Sequence, residues 1–112
     1  MENIKIVEKY YTSLWVNKNI NAINEYCDSD FILRSPNKGV ITGITAARRH
    51  IQEWFDEFPN LIFEVNQISQ EETDIHCTWD AYADSSKVIH MTGTSIFKIQ
   101  DNKIIEYTAE IN

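Results

Sequence analysis

Three side chains in the second half of the chain have the types that move protons: Asp80, His90 and Glu110. If residues 73–82 and 87–100 are strands, alternation puts His76, Thr78, Asp80 and Tyr82 on one face of the first. His90, Thr92, Thr94 and Ile96 then share one face of the second. Across an antiparallel pair, a His and an Asp can meet if the register allows. The Asp would raise the His pKa and an apolar cavity would lower it, so Asp80 and His90 could serve as an acid/base relay. The alternative is an outer or dimer face, where the same residues are simply hydrogen-bonded or solvated. The closing segment IIEYTAEIN, 104–112, holds a further polar row. As a strand it sets Ile104, Glu106, Thr108, Glu110 and Asn112 on one face, and Ile105, Tyr107, Ala109 and Ile111 on the other. Whether that polar row meets water or a pocket decides whether Glu110 can act as a general base.

Large aromatic groups could form the walls of such a pocket. Tyr11, Trp15, Trp54, Phe58 and Trp79 are candidates, and Trp and Tyr add an N–H or O–H that orients a ligand. Plain core packing is the alternative for each, and both can hold when a pocket wall is part of the core. Cys77 falls on the strand face opposite His76, so the two cannot form a dyad, and a buried structural thiol is expected. The run Arg48-Arg49-His50 falls mostly on a polar helix face and is expected to be solvated. No set of three ligands has metal-binding spacing, and there is no Cys-x-x-Cys or phosphate-cradling glycine loop, so neither metal nor cofactor is expected.

The elements that position these groups can be read from periodicity. Ile4, Val7, Tyr11, Leu14 and Trp15 mark an amphipathic helix over 3–16. A short second helix over roughly 20–27 buries Ile20, Ile23 and Tyr26, and Asp-Ser-Asp ends it. Phe31–Ser35 begins a strand that Pro36 stops, and Asn-Lys-Gly turns the chain. Thr42 or Thr45 could cap a third helix, whose apolar face is Ile44, Ala47, Ile51, Trp54, Phe55 and Phe58. Strands follow over about 61–69, 73–82, 87–100 and 103–111, with Asp101-Asn102 as a two-residue hairpin turn. This order predicts an α+β fold, with helices on one face of a curved antiparallel sheet.

Bulk properties narrow the function classes. The 112 residues suit one domain, 1–112. A net charge of −7 argues against nonspecific binding to nucleic acid or anionic lipid. The absence of an apolar run of about 18 residues argues against a membrane helix. The N-terminus lacks the apolar core of a signal peptide, so a cytoplasmic location with reduced Cys27 and Cys77 is expected.

The element order resembles the nuclear transport factor 2-like superfamily. VEKYYTSLW followed by NINAINEYC looks like its opening helix pair. LRSPNKGVITGITAARRHIQEWFDEFPNL resembles the Ser-Pro, Gly, helix and Phe-Pro segment of SnoaL-like polyketide cyclases and ester cyclases, and TGTSIFKIQDNKIIEY their closing hairpin. The resemblance covers nearly the whole chain. It implies a cystatin-like cone: three N-terminal helices packed on a curved antiparallel or mixed sheet around an internal cavity. It also implies a small hydrophobic molecule in that cavity and a homodimer through the outer sheet face. Members include cyclases, ketosteroid isomerases, dehydratases and proteins without catalysis.

Carried over by position, the isomerase pattern places its tyrosine donor at Tyr10, its base at Ser35 and its buried acid at Ser95. A serine without an activating base does not abstract a carbon-bound proton near neutral pH. The cyclase pattern places Thr108 where relatives keep a Trp and Asn112 where they keep an Asp, which makes Thr108 a candidate ligand contact. Two functions stand from this reading. One is a binder of a small hydrophobic molecule with cyclase- or isomerase-type activity: Glu110 as base, His90 and Asp80 as relay, Tyr10 as oxyanion donor. The other is a noncatalytic ligand-binding or dimerisation module of the same fold.

Overall fold

The computed structural model describes residues 2–35 and 39–112. The chain begins with α1 (Glu2–Tyr11), and Val7, Tyr10 and Tyr11 carry its buried stripe. The helix then widens into a π-helical turn, Thr12–Val16, closed by the Asn17 N–H on the Thr12 carbonyl at 2.9 Å. A wider turn separates successive side chains by a smaller angle, so the neighbours Leu14 and Trp15 both reach the core. The sequence pattern alone predicts an unbroken helix there.

After α2 (Ala22–Tyr26) the chain enters β1 (Cys27–Ser35), four residues earlier than the pattern suggests. The intervening Asp28, Ser29 and Asp30 lie in an irregular stretch where the pairing register slips, between Cys27 and Ile32. That irregularity is why they do not alternate like a strand. β2 (Gly39–Thr42) returns antiparallel to β1. Pro36 and the Asn37-Lys38 part of the expected turn lie outside the described residues.

Helix α3 (Ile44–Glu57) starts at Gly43, whose φ of 92° favours glycine. No side chain caps it, so neither Thr42 nor Thr45 takes that role. Its end is fixed by the Phe58 N–H bonding the Trp54 carbonyl and by Pro59, which cannot continue a helix. Arg48 ties α3 to the α2 region through the side chains of Asn21 and Asn24.

Four strands complete the sheet: β3 (Ile62–Glu71), β4 (Asp74–Tyr82), β5 (His90–Gln100) and β6 (Lys103–Ile111). β5 starts three residues later than predicted, because Lys87, Val88 and Ile89 stay in an exposed loop. The turn at Asp101 and Asn102 has φ of 53° and 64°, which suits a primed hairpin turn. The order across the sheet is β2-β1-β6-β5-β4-β3, and β1 runs parallel to β6, so the sheet is mixed. The core fills the space between the helices and one sheet face. On β4 the alternation is complete: Ile75, Cys77, Trp79 and Ala81 are buried, and the residues between them look outward.

A bulge changes the faces of β6. Lys98 pairs with Glu106 and Ile99 with Ile104, so Ile105 is an extra residue. Ile104 therefore joins Tyr107, Ala109 and Ile111 inside, rather than the row of Glu106, Thr108 and Glu110.

Candidate functional site

Between α3, the π-helical turn and the inner sheet face lies a pocket of about 70 Å³. An apolar cavity of about 150 Å³ takes a benzene ring. This pocket therefore holds a smaller body at rest, and a larger flat molecule enters only if a wall moves. Trp15, Trp54 and Trp79 stand in its wall, with Phe63 and Leu33. They are all the tryptophans of the chain. The polar members of the wall are Ser35, His50 and Tyr107, and no carboxylate is among the residues lining it.

A chain of neutral hydroxyls backs this pocket. Trp79 Nε1 donates to Ser95 Oγ at 2.8 Å, and Ser95 Oγ lies 3.0 Å from Tyr107 Oη. An indole N–H can only donate, so Ser95 is the acceptor. Ser95 can in turn donate to Tyr107, whose hydroxyl also lies beside Tyr11. Burial pushes the Tyr107 hydroxyl up to about 12, partly offset by the Ser95 bond. Burial also holds Tyr11 well above the ordinary tyrosine range. Both phenols stay protonated at neutral pH and act as donors. Tyr11 Oη is buried beside Ser95 and Tyr107, and the Ser95 hydroxyl partly offsets the rise in its pKa. Of these hydroxyls, Tyr107 is the one that lines the pocket.

The proton-moving groups singled out in the sequence stand elsewhere. His90 Nε2 does meet Asp80 Oδ1, at 2.9 Å, and Asn66 Nδ2 donates to Asp80 Oδ2 at 2.7 Å. These bonds, Asn66 first and His90 second, hold the Asp80 carboxyl below its ordinary pKa. His90 stacks on Tyr82, with ring centroids 4.6 Å apart. All of them occupy the outer face of the sheet, because β4 places Trp79 and Ala81 inward and Asp80 and Tyr82 outward. Arg34 pairs with Glu106 at 2.7 Å and His76 with Glu71 at 3.1 Å outside the pocket. Glu110 is exposed on that same outer face, and Thr108 shares it, since Tyr107, Ala109 and Ile111 take the pocket side of β6. Neither Glu110 nor Thr108 reaches the pocket.

Tyr10 is also displaced from its expected role. It packs edge-on against Phe97 at 5.9 Å and beside Cys27, away from the pocket wall. The tyrosine beside Ser95 and Tyr107 is Tyr11, one residue on, because that residue faces β4 and β5 as the helix passes. Trp15, Trp54 and Trp79 line the pocket, whereas Phe58 lies against the Trp54 ring at 5.6 Å and is not among the lining residues. Tyr11 instead lines a neighbouring groove.

His50 departs from the solvated face expected for the Arg48-Arg49-His50 run: it is 9% exposed and lines the pocket. A signal for it exists. Ala47, His50, Ile51 and Trp54 follow offsets of three, four and seven, the buried stripe of α3. His50 and Ser35 each engage another group. The two thiols are not candidates for nucleophiles, since burial pushes Cys27 and Cys77 up to about 12.

Comparison with known proteins gives this geometry a family. A family model described as a SnoaL-like domain matches residues 7–107. Among solved structures, a protein from Jannaschia sp. CCS1, proposed to be a SnoaL-like polyketide cyclase, is 15% identical with a TM-score of 0.86, over 99% of this chain and 85% of that one. A Xanthomonas campestris protein of cystatin-like fold is 15% identical with a TM-score of 0.85, over 99% and 91%. TerC, co-crystallised with polyporic acid, is 9% identical with a TM-score of 0.85, over 100% and 92%. At these identities the likeness is one of fold. No curated protein matches the chain.

Proposed function

Because the chain belongs to the SnoaL-like domain family, we propose that its inner pocket binds a small, flat, hydrophobic molecule bearing a carbonyl or similar acceptor. The observation that carries this reading is the wall itself: three tryptophans and a phenylalanine around a neutral Tyr107 donor, with no carboxylate among the lining residues. Apolar walls supply the burial, and one placed donor fixes orientation. The Trp79–Ser95–Tyr107 chain directs that donor without introducing a charge.

Every tryptophan of the chain lines the pocket, so intrinsic fluorescence reports its occupancy. Titration with acetophenone is expected to quench the emission saturably, and Tyr107→Phe is expected to weaken binding about tenfold, the worth of one buried hydrogen bond. Unchanged emission across the titration would remove the reading.

Proton transfer is a second reading, favoured by one observation. His50 is the imidazole in the pocket wall, on the side of the sheet that carries the Tyr107 hydroxyl. It would take a proton from the carbon beside a carbonyl while Tyr107 stabilises the enolate. Deuterium incorporation at that carbon, followed by NMR in D₂O, should be catalysed and should be lost in His50→Gln. Exchange at the uncatalysed rate would leave the protein a binder.

For the outer sheet face we propose self-association. Thr78, Thr92, Thr94, Ile96 and Thr108 make an uncharged centre there, with Asp80, His90, Lys98, Glu106 and Glu110 around it. A two-fold contact needs a patch that complements itself. Sedimentation should report a dimer, and Thr94→Lys should yield a monomer.

A further inference from the structure

A second recess adjoins the pocket. It is an open groove of about 320 Å³ between α1, the π-helical turn and β3. Tyr11, Val16, Val65 and Ile68 line it, Val16 and Val65 being exposed, together with the polar Glu8, Thr12, Asn66 and Gln67. Only Trp15 and Phe63 line both spaces. Their rings are stacked, 4.7 Å between centroids and 16° apart, so together they form the wall between pocket and groove.

Phe63 is the central member of this wall, stacked on the Trp79 ring of the pocket at 5.1 Å and on the Tyr11 ring of the groove at 5.4 Å. It sits on β3, an edge strand paired with β4 alone. Its cross-strand neighbour is the small Ala81. Trp15 is packed edge-on against Phe55 at 5.6 Å and carried by the π-helical turn. With the ring gone, two small residues would stand side by side at the boundary, and the pocket would run on into the groove.

We propose that Phe63 is the specificity-determining partition of this protein: it sets the length of the ligand, and beyond it the groove can take an unbranched apolar tail. The inference rests on the pocket binding a carbonyl compound.

A series of straight-chain alkyl phenyl ketones, from acetophenone to decanophenone, tests both layers by tryptophan quenching. Each methylene that enters apolar surroundings raises affinity about fourfold. In the native protein the gain should stop after the first few carbons. In Phe63→Ala it should continue along the chain, and adding Thr12→Trp, which blocks the groove, should restore the native limit. Phe63→Leu keeps most of the packing and should move the limit by fewer carbons, so it carries the test should the alanine variant not fold. A limit at the same carbon number in all variants overturns the partition while leaving the pocket reading intact. Failure of every ketone to bind any variant overturns both.

Discussion

The two faces of the sheet are made by the same strands, one residue apart, and they differ in what holds their polar groups. On the inner face Trp79, Ser95 and Tyr107 share neutral hydrogen bonds in a buried array. On the outer face Asp80, His90 and Asn66 share charge-assisted bonds within reach of water. Exposed ion pairs contribute little, because water screens them and long side chains lose freedom. Buried neutral bonds have the opposite asymmetry: modest when made, costly when broken. Side chains that look most chemical in the sequence therefore stand where chemistry is least sheltered. The sheltered face carries the Ser95 and Tyr107 hydroxyls and the Trp79 indole, and the His50 imidazole faces it from α3.

The inner face should be the less forgiving of the two, and Gly93 is the sharpest place to break that expectation. A Cβ there would collide with the Trp79 ring and with the backbone carbonyl of Glu110. A ring can move, but the neighbouring strand cannot without losing its ladder. Gly93→Ala is expected to cost about 3 kcal/mol or to abolish folding, read by urea unfolding. Native-like stability would mean the inner face yields easily, and the contrast between the faces would be gone.

Ser95→Ala comes next. It leaves the Trp79 N–H without its acceptor in a residue 6% exposed. The expected loss is about 1–3 kcal/mol, the cost of a buried unpaired donor. Tyr107→Phe removes the other end of the relay and should cost only about 1 kcal/mol, because Ser95 keeps its bond from Trp79. A double variant losing less than the sum would confirm that the hydroxyls act as one network.

Alkaline pH probes the same array without mutation. Burial pushes the folded Tyr107 hydroxyl up to about 12, above the ordinary value of 10.0. A raised acid pKa means that the unfolded chain ionises first as pH climbs. Its contribution is thus fully present below pH 10 and is lost between 10 and 12. Melting temperature should fall over that window in the native protein, and less steeply in Tyr107→Phe. Equal slopes would show that Tyr107 does not control the alkaline limit.

Much of this contrast is legible in the amino-acid sequence. That Asp80 and His90 can meet follows from alternation and an antiparallel register. Which side of the sheet they occupy does not, because a strand's pattern fixes which residues share a face, and the packing of helices decides which face is covered. On β6 the pattern itself misleads. Ile105 is an extra residue, so Ile104 and Tyr107, three apart, fall on one face. Tyr10 and Tyr11 show the same limit on a helix, where adjacent residues are both buried and only the docking angle decides which one meets Ser95. His50 is different: its offsets from Ala47 and Trp54 place it on the buried stripe, and its charged neighbours Arg48 and Arg49 obscure it. The π-helical turn has no local signature that the periodicity of Leu14 and Trp15 could reveal.

The smallest expected effect belongs to the outer face, in Asp80→Asn. The Asp80 carboxyl is held below its ordinary value of 3.8 by the Asn66 bond first and by His90 second. A depressed carboxyl pKa stabilises the fold at pH above 3.8, and that stabilisation is lost as pH falls through the lower folded value. At pH 6 the variant should melt no more than about two degrees below the native protein, in keeping with an exposed pair. The gap should close as pH drops below 3.8, where the native carboxyl takes up its proton. Ketone quenching should be unaffected at either pH, since Asp80 stands behind the sheet from the pocket. Glu110→Gln should likewise leave the quenching curve unchanged. A shift in that curve from either substitution would mean that the outer carboxylates reach the ligand through the sheet, and the two faces would then have to be treated as one site.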